Sequence, residues 1–422
     1  MKGAGRTTRL ALLGAVTVLP WLPSASATER GSSRAALAGA TVESVIALAR
    51  RLSPELVAAA FDADAARQAV GAAGAQPDPS VKFEAWGANA QRGIGERRFG
   101  VQQELKLWGK TDLERAIATA EADGASHKAR AVTADLIARV KMVHAEYQAA
   151  YEALDLSRQL RRRVDELLGL LQSRYGATAV DQQDVIKGRI EAATAEVDVI
   201  RREGEVKSIA ARLNALIGRP PLAPFDQPAG FRRLKPSLTL AGAQARARGA
   251  NPVLAATASE VGAAKGAKTL KDLNYYPNVT LGALYVQRPG GGADTGEFLL
   301  GFKVPLQYAA KDAEQQAAAS RLGGAHARND AARLRLDGDV AAIWFGLEAA
   351  RKAIRTLDAR QLPPARESVA VARNGFSAGS TDLALVLEAE RRLLTIHLEL
   401  LKLKVEEQTR YAELERMAGG TL

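Results

Sequence analysis

Four short stretches of the chain alternate apolar and polar residues one by one. Val81, Phe83 and Ala85 alternate with Lys82 and Glu84, and Phe99, Val101 and Leu105 with Arg98, Gly100, Gln102 and Glu104. Val279, Leu281, Ala283 and Tyr285 make a third row, and Phe298, Leu300, Phe302, Val304 and Leu306 a fourth. A period of two marks a strand with one apolar and one polar face. Two β-hairpins are therefore expected, at 80–107 and 278–306, with turns loosened by Gly87, Gly93 and Gly95 and by Pro289 to Gly292. Each strand should run for about 9 to 11 residues, the length that crosses a bilayer when tilted. Phe83, Phe99, Val101, Leu281, Tyr285, Phe298, Leu300 and Phe302 would then face lipid. Hairpins packed on helices in a soluble domain give the same pattern and stay open as the alternative.

The rest of the chain has helical periodicity. No proline falls between Pro79 and Pro220, and 110–175 reads as one Ala-, Arg-, Glu- and Leu-rich helix, about 100 Å long at 1.5 Å per residue. Ile137, Val140, His144, Tyr147, Tyr151 and Leu154 recur at steps of three and four, the seam of a coiled coil. Ile186, Ile190, Ala193, Val197 and Ile200 repeat that spacing in a return helix over 182–217, and Ile209, Leu213 and Leu216 resume it after a shift. The two helices are expected to pack antiparallel along these seams. A second long helix, 311–376, meets Pro363 and Pro364, where a kink or break is expected. Its return helix, 382–417, carries Leu393, Ile396, Leu400 and Leu403 on one seam.

These elements occur twice. Ser53-Pro54-Glu55-Leu56 returns as Asn251-Pro252-Val253-Leu254, and Pro79, Val81, Phe83 and Ala85 return as Pro277, Val279, Leu281 and Ala283, all at an offset of 198 residues. Leu105, Lys110 and Tyr175 match Leu306, Lys311 and Phe376 at an offset of 201. A constant offset held across several landmarks points to duplication. The expected organisation is a leader at 1–27, a tail at 28–40, a first repeat at 41–217 opening with a helix at 41–74, and a Pro-rich linker at 218–237. A second repeat at 238–418 opens with a helix at 238–273. The fold class is mainly α with a small β part.

The ends and the composition narrow the setting. Lys2, Arg6 and Arg9, an apolar run from Leu10 to Leu22 and then Ala25-Ser26-Ala27 follow the order of a secretory signal. No later apolar run reaches the roughly 18 residues of a spanning helix, so a membrane location would require a closed barrel. Of the 21 aromatic residues, 10 lie within 83–108 and 275–308; Phe83, Trp86, Trp108, Tyr275, Tyr276 and Tyr308 stand near strand ends, where interfacial girdles sit. Four strands cannot close a transmembrane barrel, which needs about eight. Several chains must share one wall, and three copies would supply twelve strands.

Candidate chemistry is sparse. The chain has no cysteine, so disulfides, thiolate ligands and an acylated anchor are not expected. The net charge of +11 falls by three when the leader leaves, and the remaining cations are interleaved with Asp and Glu along helices, which argues against nucleic acid as a partner. His127, His144, His326 and His397 are scattered without metal-ligand spacing, and no phosphate loop or nucleophile elbow occurs. No enzyme, cofactor or resident metal is expected. Two rival classes remain: a soluble periplasmic coiled-coil adaptor, which would need a single helical hairpin, and an exported helical enzyme, which lacks a catalytic constellation.

Several ordered motifs carry a resemblance. They are the two Pro-Xaa-Leu openings, Leu107-Trp108-Gly109-Lys110, the stretches from Arg174 to Val185 and from Phe376 to Leu383, and Leu213 to Pro220. Together they resemble the TolC-type outer-membrane efflux protein family over nearly the whole mature length. The resemblance implies a homotrimer with a twelve-stranded β-barrel in the outer membrane and a helical α-barrel through the periplasm. It also implies a periplasmic adaptor and an inner-membrane pump of RND type as partners. By position, Tyr175, Thr178, Asp184, Phe376 and Gly379 are the adaptor-docking residues it implies at the tips. Thr178 departs from the family's usual glycine. Glu388 matches the place of an acidic ring that narrows the tunnel, although a solvated carboxylate paired with Arg391 or Arg392 fits equally. Where some members use a Tyr and an Arg to tie the tips to the Asp184 position, this chain has Phe376 and Thr381. Asp382 has a plainer expected role as a helix N-cap. Size and layout look most like the channel partners of cobalt-zinc-cadmium exporters, with drug, solvent or type I protein export using the same duct.

Overall fold

The computed structural model describes residues 39–87, 95–176, 182–235, 239–289, 292–304 and 306–422. The expected leader, Thr178, Asp181, Gly93, Pro236, Gly290 and Gly291 lie outside the described residues. The opening helices are α1 (Val42–Leu52) and α2 (Pro54–Ala72), and in the second repeat α5 (Leu240–Ala250) and α6 (Pro252–Asp272). Thr41 and Thr239 cap α1 and α5, accepting from Ser44 N and Gly242 N. Each expected single helix is therefore two. A residue before proline is pushed out of the helical region, and Ser53 and Asn251 sit at φ −66° with ψ 117° and 119°. The prolines that mark the duplication are also the breaks.

β1 (Ser80–Trp86), β2 (Glu96–Leu105), β3 (Val279–Gln287) and β4 (Thr295–Phe302) form one antiparallel sheet in the order β1-β2-β3-β4. β1 and β4 are shorter than expected at 7 and 8 residues, and Val304 and Leu306 fall beyond β4. The register pairs Phe83 with Phe99 and Phe99 with Tyr285, and Leu281 with Gln103 and Leu300. Opposed residues share a face, so the eight residues expected to face lipid all stand on one side, and all eight are exposed. Both hairpins use one register: Leu281 and Leu300 repeat Phe83 and Phe99 at the offsets of 198 and 201. Gly100 leaves room on the other face for Leu284, whose Cγ would lie 2.9 Å from a Cβ there.

The stem is α3 (Lys110–Gly176, 67 residues), α4 (Gln182–Ile217), α7 (Tyr308–Thr356), α8 (Leu362–Ser377) and α9 (Leu383–Met417). α3 packs along α2, α4, α6 and α9. Its seam residues Val140, His144, Tyr147 and Leu154 are buried. On α4 the outcome differs from the expectation. Val185, Ala195, Val199, Val206 and Leu213 are buried, whereas Ile186, Ile190, Val197 and Ile200 are 48 to 62% exposed. The 186–200 seam points away from α3, and α4 carries two apolar stripes. Pro363 and Pro364 do not break the rod either. They occupy the first turn of α8, where missing N–H groups cost nothing, and a π-helical turn at Leu357–Gln361 absorbs the misfit above them.

The linker lies strapped across the stem by polar side chains. Gln148 Oε1 accepts from Gly230 N, Gln408 Nε2 donates to Arg232 O, and Arg351 Nη2 donates to Lys235 O. Buried backbone groups are thus paired where the segment crosses the helices. Among the described residues, no helix is long and apolar enough to cross a membrane.

Candidate channel wall and tips

The apolar face of the sheet holds Val81, Phe83, Phe99, Val101, Leu281, Tyr285, Phe298, Leu300 and Phe302, with Phe298 94% exposed. The opposite face carries Lys82, Glu84, Glu96, Arg98, Gln102, Glu104, Thr280, Thr295 and Glu297. Glu96 receives Arg98 at 3.1 Å and Arg288 at 2.9 Å, which links β2 to the end of β3. One face matches hydrocarbon and the other water. β1 and β4 leave two unpaired edges, whose backbone groups hydrocarbon would leave unsatisfied.

Below the sheet the chain turns sharply. Trp108 and Gly109 both adopt left-handed backbone, φ 63° and 73°, a conformation that costs an L-residue about 1 to 2 kcal/mol. The contacts made there offset it: Trp108 Nε1 donates to Pro277 O at 2.9 Å, and Lys110 Nζ donates to Tyr276 O and Asn278 Oδ1, each at 2.8 Å. Asn278 Nδ2 in turn donates to Glu104 at 2.6 Å. The Leu107 to Lys110 motif is therefore an elbow that fastens the first repeat to the start of β3. Trp108 packs on Tyr276 and Tyr275 stacks on Tyr308, all near this end of the sheet.

At the far end of the stem, Arg174 of α3 donates to Phe376 O at 2.9 Å and Ser377 O at 2.6 Å, with its guanidinium 5.3 Å from the centre of the Phe376 ring. A cation thus caps two carbonyls at the C-terminus of α8, where the helix dipole favours it. Phe376 is 5% exposed and belongs to the tip core with Leu171, Val185 and Leu383, so its ring is packing material. Tyr175 is 46% exposed. Gly379, at φ 80°, closes α8 by donating to Phe376 O while Ser380 N donates to Gly375 O. Asp184 sits in the first turn of α4, 3.3 Å from Lys187. Asp382 borders α9 and makes no side-chain cap bond, so its expected capping role is not seen.

Glu388 is exposed, and Arg391 is paired with Glu191 on α4. Sequence reasoning missed Glu390, which is 2% exposed, receives Arg163 of α3 at 2.8 Å and has Arg373 of α8 at 4.0 Å. The signal was present. Leu383, Val386, Glu390, Leu393 and Ile396 step by three and four, which puts this carboxylate on the buried seam. His144 is also buried, with Nε2 3.0 Å from Gly39 O. Burial holds its pKa below the ordinary imidazole value, while the Gly39 carbonyl and Glu43 pull it partly back. Among the described residues no group of His, Asp or Glu is placed to hold a metal ion.

A sheet with one greasy face and two open edges, carried on a stem of helices and built twice over, defines a channel subunit that completes its wall with other chains. The family model of outer membrane efflux proteins matches residues 45–219 and again 244–420. The chain belongs to that family and is an outer-membrane protein with a stem that extends into the periplasm. No curated protein sequence matches it. Among solved structures, the outer membrane protein VceC from Vibrio cholerae is similar with a TM-score of 0.76 at 20% identity, over 90% of this chain and 96% of that one. CusC, described in connection with transmembrane channel formation, gives 0.76 at 16% identity over 94% and 96%. The MtrE outer membrane channel of Neisseria gonorrhoeae gives 0.75 at 17% identity over 91% and 90%.

Proposed function

We propose that three copies of this chain form the passive exit duct of a tripartite efflux pump, with a twelve-stranded barrel in the outer membrane and a helical tunnel below it. A periplasmic adaptor docks at the tips around Tyr175, Asp184 and Gly379, and an inner-membrane pump of RND type supplies the cargo. The observation that carries this reading is the sheet: its apolar face suits lipid, and its two free edges demand neighbours. The unpartnered stripe Ile186, Ile190, Val197 and Ile200 on α4 supports it, because a neighbouring stem would bury it.

The cargo we propose is heavy-metal cations. On the polar face Glu84, Glu96, Glu104 and Glu297 outnumber Lys82, Arg98 and the adjoining Arg288, and exposed Glu388 adds a carboxylate near the tip. Repeated three times around an axis, such a surplus favours cations and resists anions. The test has two arms. Protein extracted from the outer membrane should run as a trimer in detergent and conduct with cation preference in a planar bilayer. Deleting the gene should raise sensitivity to cobalt, zinc and cadmium salts. A freely soluble monomer would sink the channel; unchanged metal tolerance with raised drug sensitivity would transfer the cargo to drugs.

A further inference from the structure

The internal duplication specifies how one copy joins the next, and this inference rests on the trimeric channel just proposed. β2 and β3 are the junction between first and second repeats within one chain, paired so that Leu105 opposes Val279, Gln103 opposes Leu281 and Val101 opposes Ala283. β4 is the repeat equivalent of β2 at an offset of 201, and β1 that of β3 at an offset of 198; both hairpins obey these offsets in their observed register. We infer that β4 of one copy pairs antiparallel with β1 of the neighbouring copy in the repeat-equivalent register: Leu306 opposite Val81, Val304 opposite Phe83, and Phe302 opposite Ala85.

Three observations converge on that seam. First, β4 ends at Phe302, whereas its counterpart β2 continues to Leu105, which is the equivalent of Leu306. The missing turn of strand is the part with no partner inside one chain, and pairing with a second copy completes it. Second, Lys303 N donates to Asn278 O, so odd residues of β4 face β3. The backbone groups of Phe302, Val304 and Leu306 accordingly turn to the free edge, in phase with the proposed partners.

Third, the register sets Lys303 directly across from Glu84 on the polar face, a favourable cross-strand charge pair. A slip of two residues one way would set Lys303 against Lys82, and the other way against Trp86. Like charges directly opposed are destabilising, so the alternatives are disfavoured by residues already present. The elbow repeats the same logic. Lys110 reaches Tyr276 O and Asn278 at the start of β3, and its equivalent Lys311, whose nearest carboxylate is Glu314 at 3.9 Å, is placed to reach the Asp78 carbonyl and Ser80 of the neighbouring copy.

The absence of cysteine makes the seam directly readable by disulfide trapping. Lys303→Cys with Glu84→Cys, and separately Leu306→Cys with Val81→Cys, should oxidise in outer-membrane fractions to a covalent ladder ending at the trimer. Lys303→Cys combined with Lys82→Cys or Trp86→Cys should cross-link at least tenfold more slowly. The unoxidised proteins run on a native gel beside them. Trimers whose fastest cross-link is one of the slipped pairs overturn this register and leave the channel standing. Native monomers with no ladder from any pair overturn the channel reading and the seam together.

Discussion

The two repeats close at equivalent positions and do so with opposite chemistry. Asn214 and Glu415 stand 201 residues apart near the ends of α4 and α9, and both are buried. Asn214 turns its amide to its own repeat, donating to Pro221 O at 3.1 Å and Ala223 O at 2.8 Å where the linker begins. Glu415 reaches out of its repeat: Lys141 of α3 lies at 2.8 Å, and Arg232 of the linker grips it with two bonds of 3.0 and 2.8 Å. Duplication supplied one backbone twice, and divergence at one buried position made the first copy close on itself and the second clamp onto the first. Function needs that asymmetry, because repeats joined only by a linker could not hold a continuous sheet and stem.

The sharpest way to break this comparison is to remove the two side chains. Glu415→Ala leaves Lys141 and Arg232 buried without a counter-charge, and removing one partner of a buried pair costs about 3 to 5 kcal/mol. Asn214→Ala strands two carbonyls that still see the edge of the linker, for about 1 to 3 kcal/mol. Thermal unfolding of the detergent-solubilised protein should therefore show the larger fall in midpoint for Glu415→Ala. Equal falls would mean that Glu415 does not clamp the repeats, and the contrast drawn above would be lost.

How far these features could be read from sequence depends on what carries them. The four strands and their apolar face were legible because alternation is a local property of residues such as Phe83 and Phe298. So were the long rods, since uninterrupted three-four spacing needs no knowledge of neighbours. A stripe records that burial occurs and does not record against what, which is why Ile186 to Ile200 were read onto α3 when Val185 and Val199 hold that contact. The breaks at Ser53 and Asn251 had their signal in Pro54 and Pro252, which served as landmarks of duplication while their effect on the preceding residue was passed over. The premature end of β4 could not be read at all, because strand length depends on a partner. At the tips, positions were legible and environments were not: Phe376 is core, and the buried charge is Glu390, two residues beyond the expected Glu388.

A smaller difference between repeats lies at the glycines that end the return helices. Gly218 and Gly419 hold φ 79° and 68°, and each presses on the break that opens its own repeat. A Cβ on Gly218 would come within 2.7 Å of Leu52 O, and one on Gly419 within 2.3 Å of Ala250 O. The left-handed backbone alone costs alanine about 1 to 2 kcal/mol, and the carbonyl contact adds to it. Gly419→Ala should lower the unfolding midpoint more than Gly218→Ala. The reverse order would show that the second repeat is the more yielding of the two at its joint.

The smallest effect separates the break residues themselves. Asn251 Oδ1 accepts from Leu254 N at 2.9 Å, capping α6, and its Nδ2 donates to Met417 O at 2.9 Å, so one side chain ties the opening of the repeat to its close. Ser53 occupies the equivalent place at the head of α2, makes no cap bond, and has a buried hydroxyl without a partner. Losing an asparagine cap costs about 1 kcal/mol, whereas removing an unsatisfied buried hydroxyl relieves a desolvation cost. Asn251→Ala should therefore destabilise, and Ser53→Ala should leave the midpoint unchanged or raise it. Introducing Ser53→Asn sharpens the point. If the first repeat can accept the second repeat's cap, stability rises by about 1 kcal/mol, and a fall would mean that the space beneath Ser53, where Gly218 packs on Leu52 and Pro54, has closed too tightly to hold an amide.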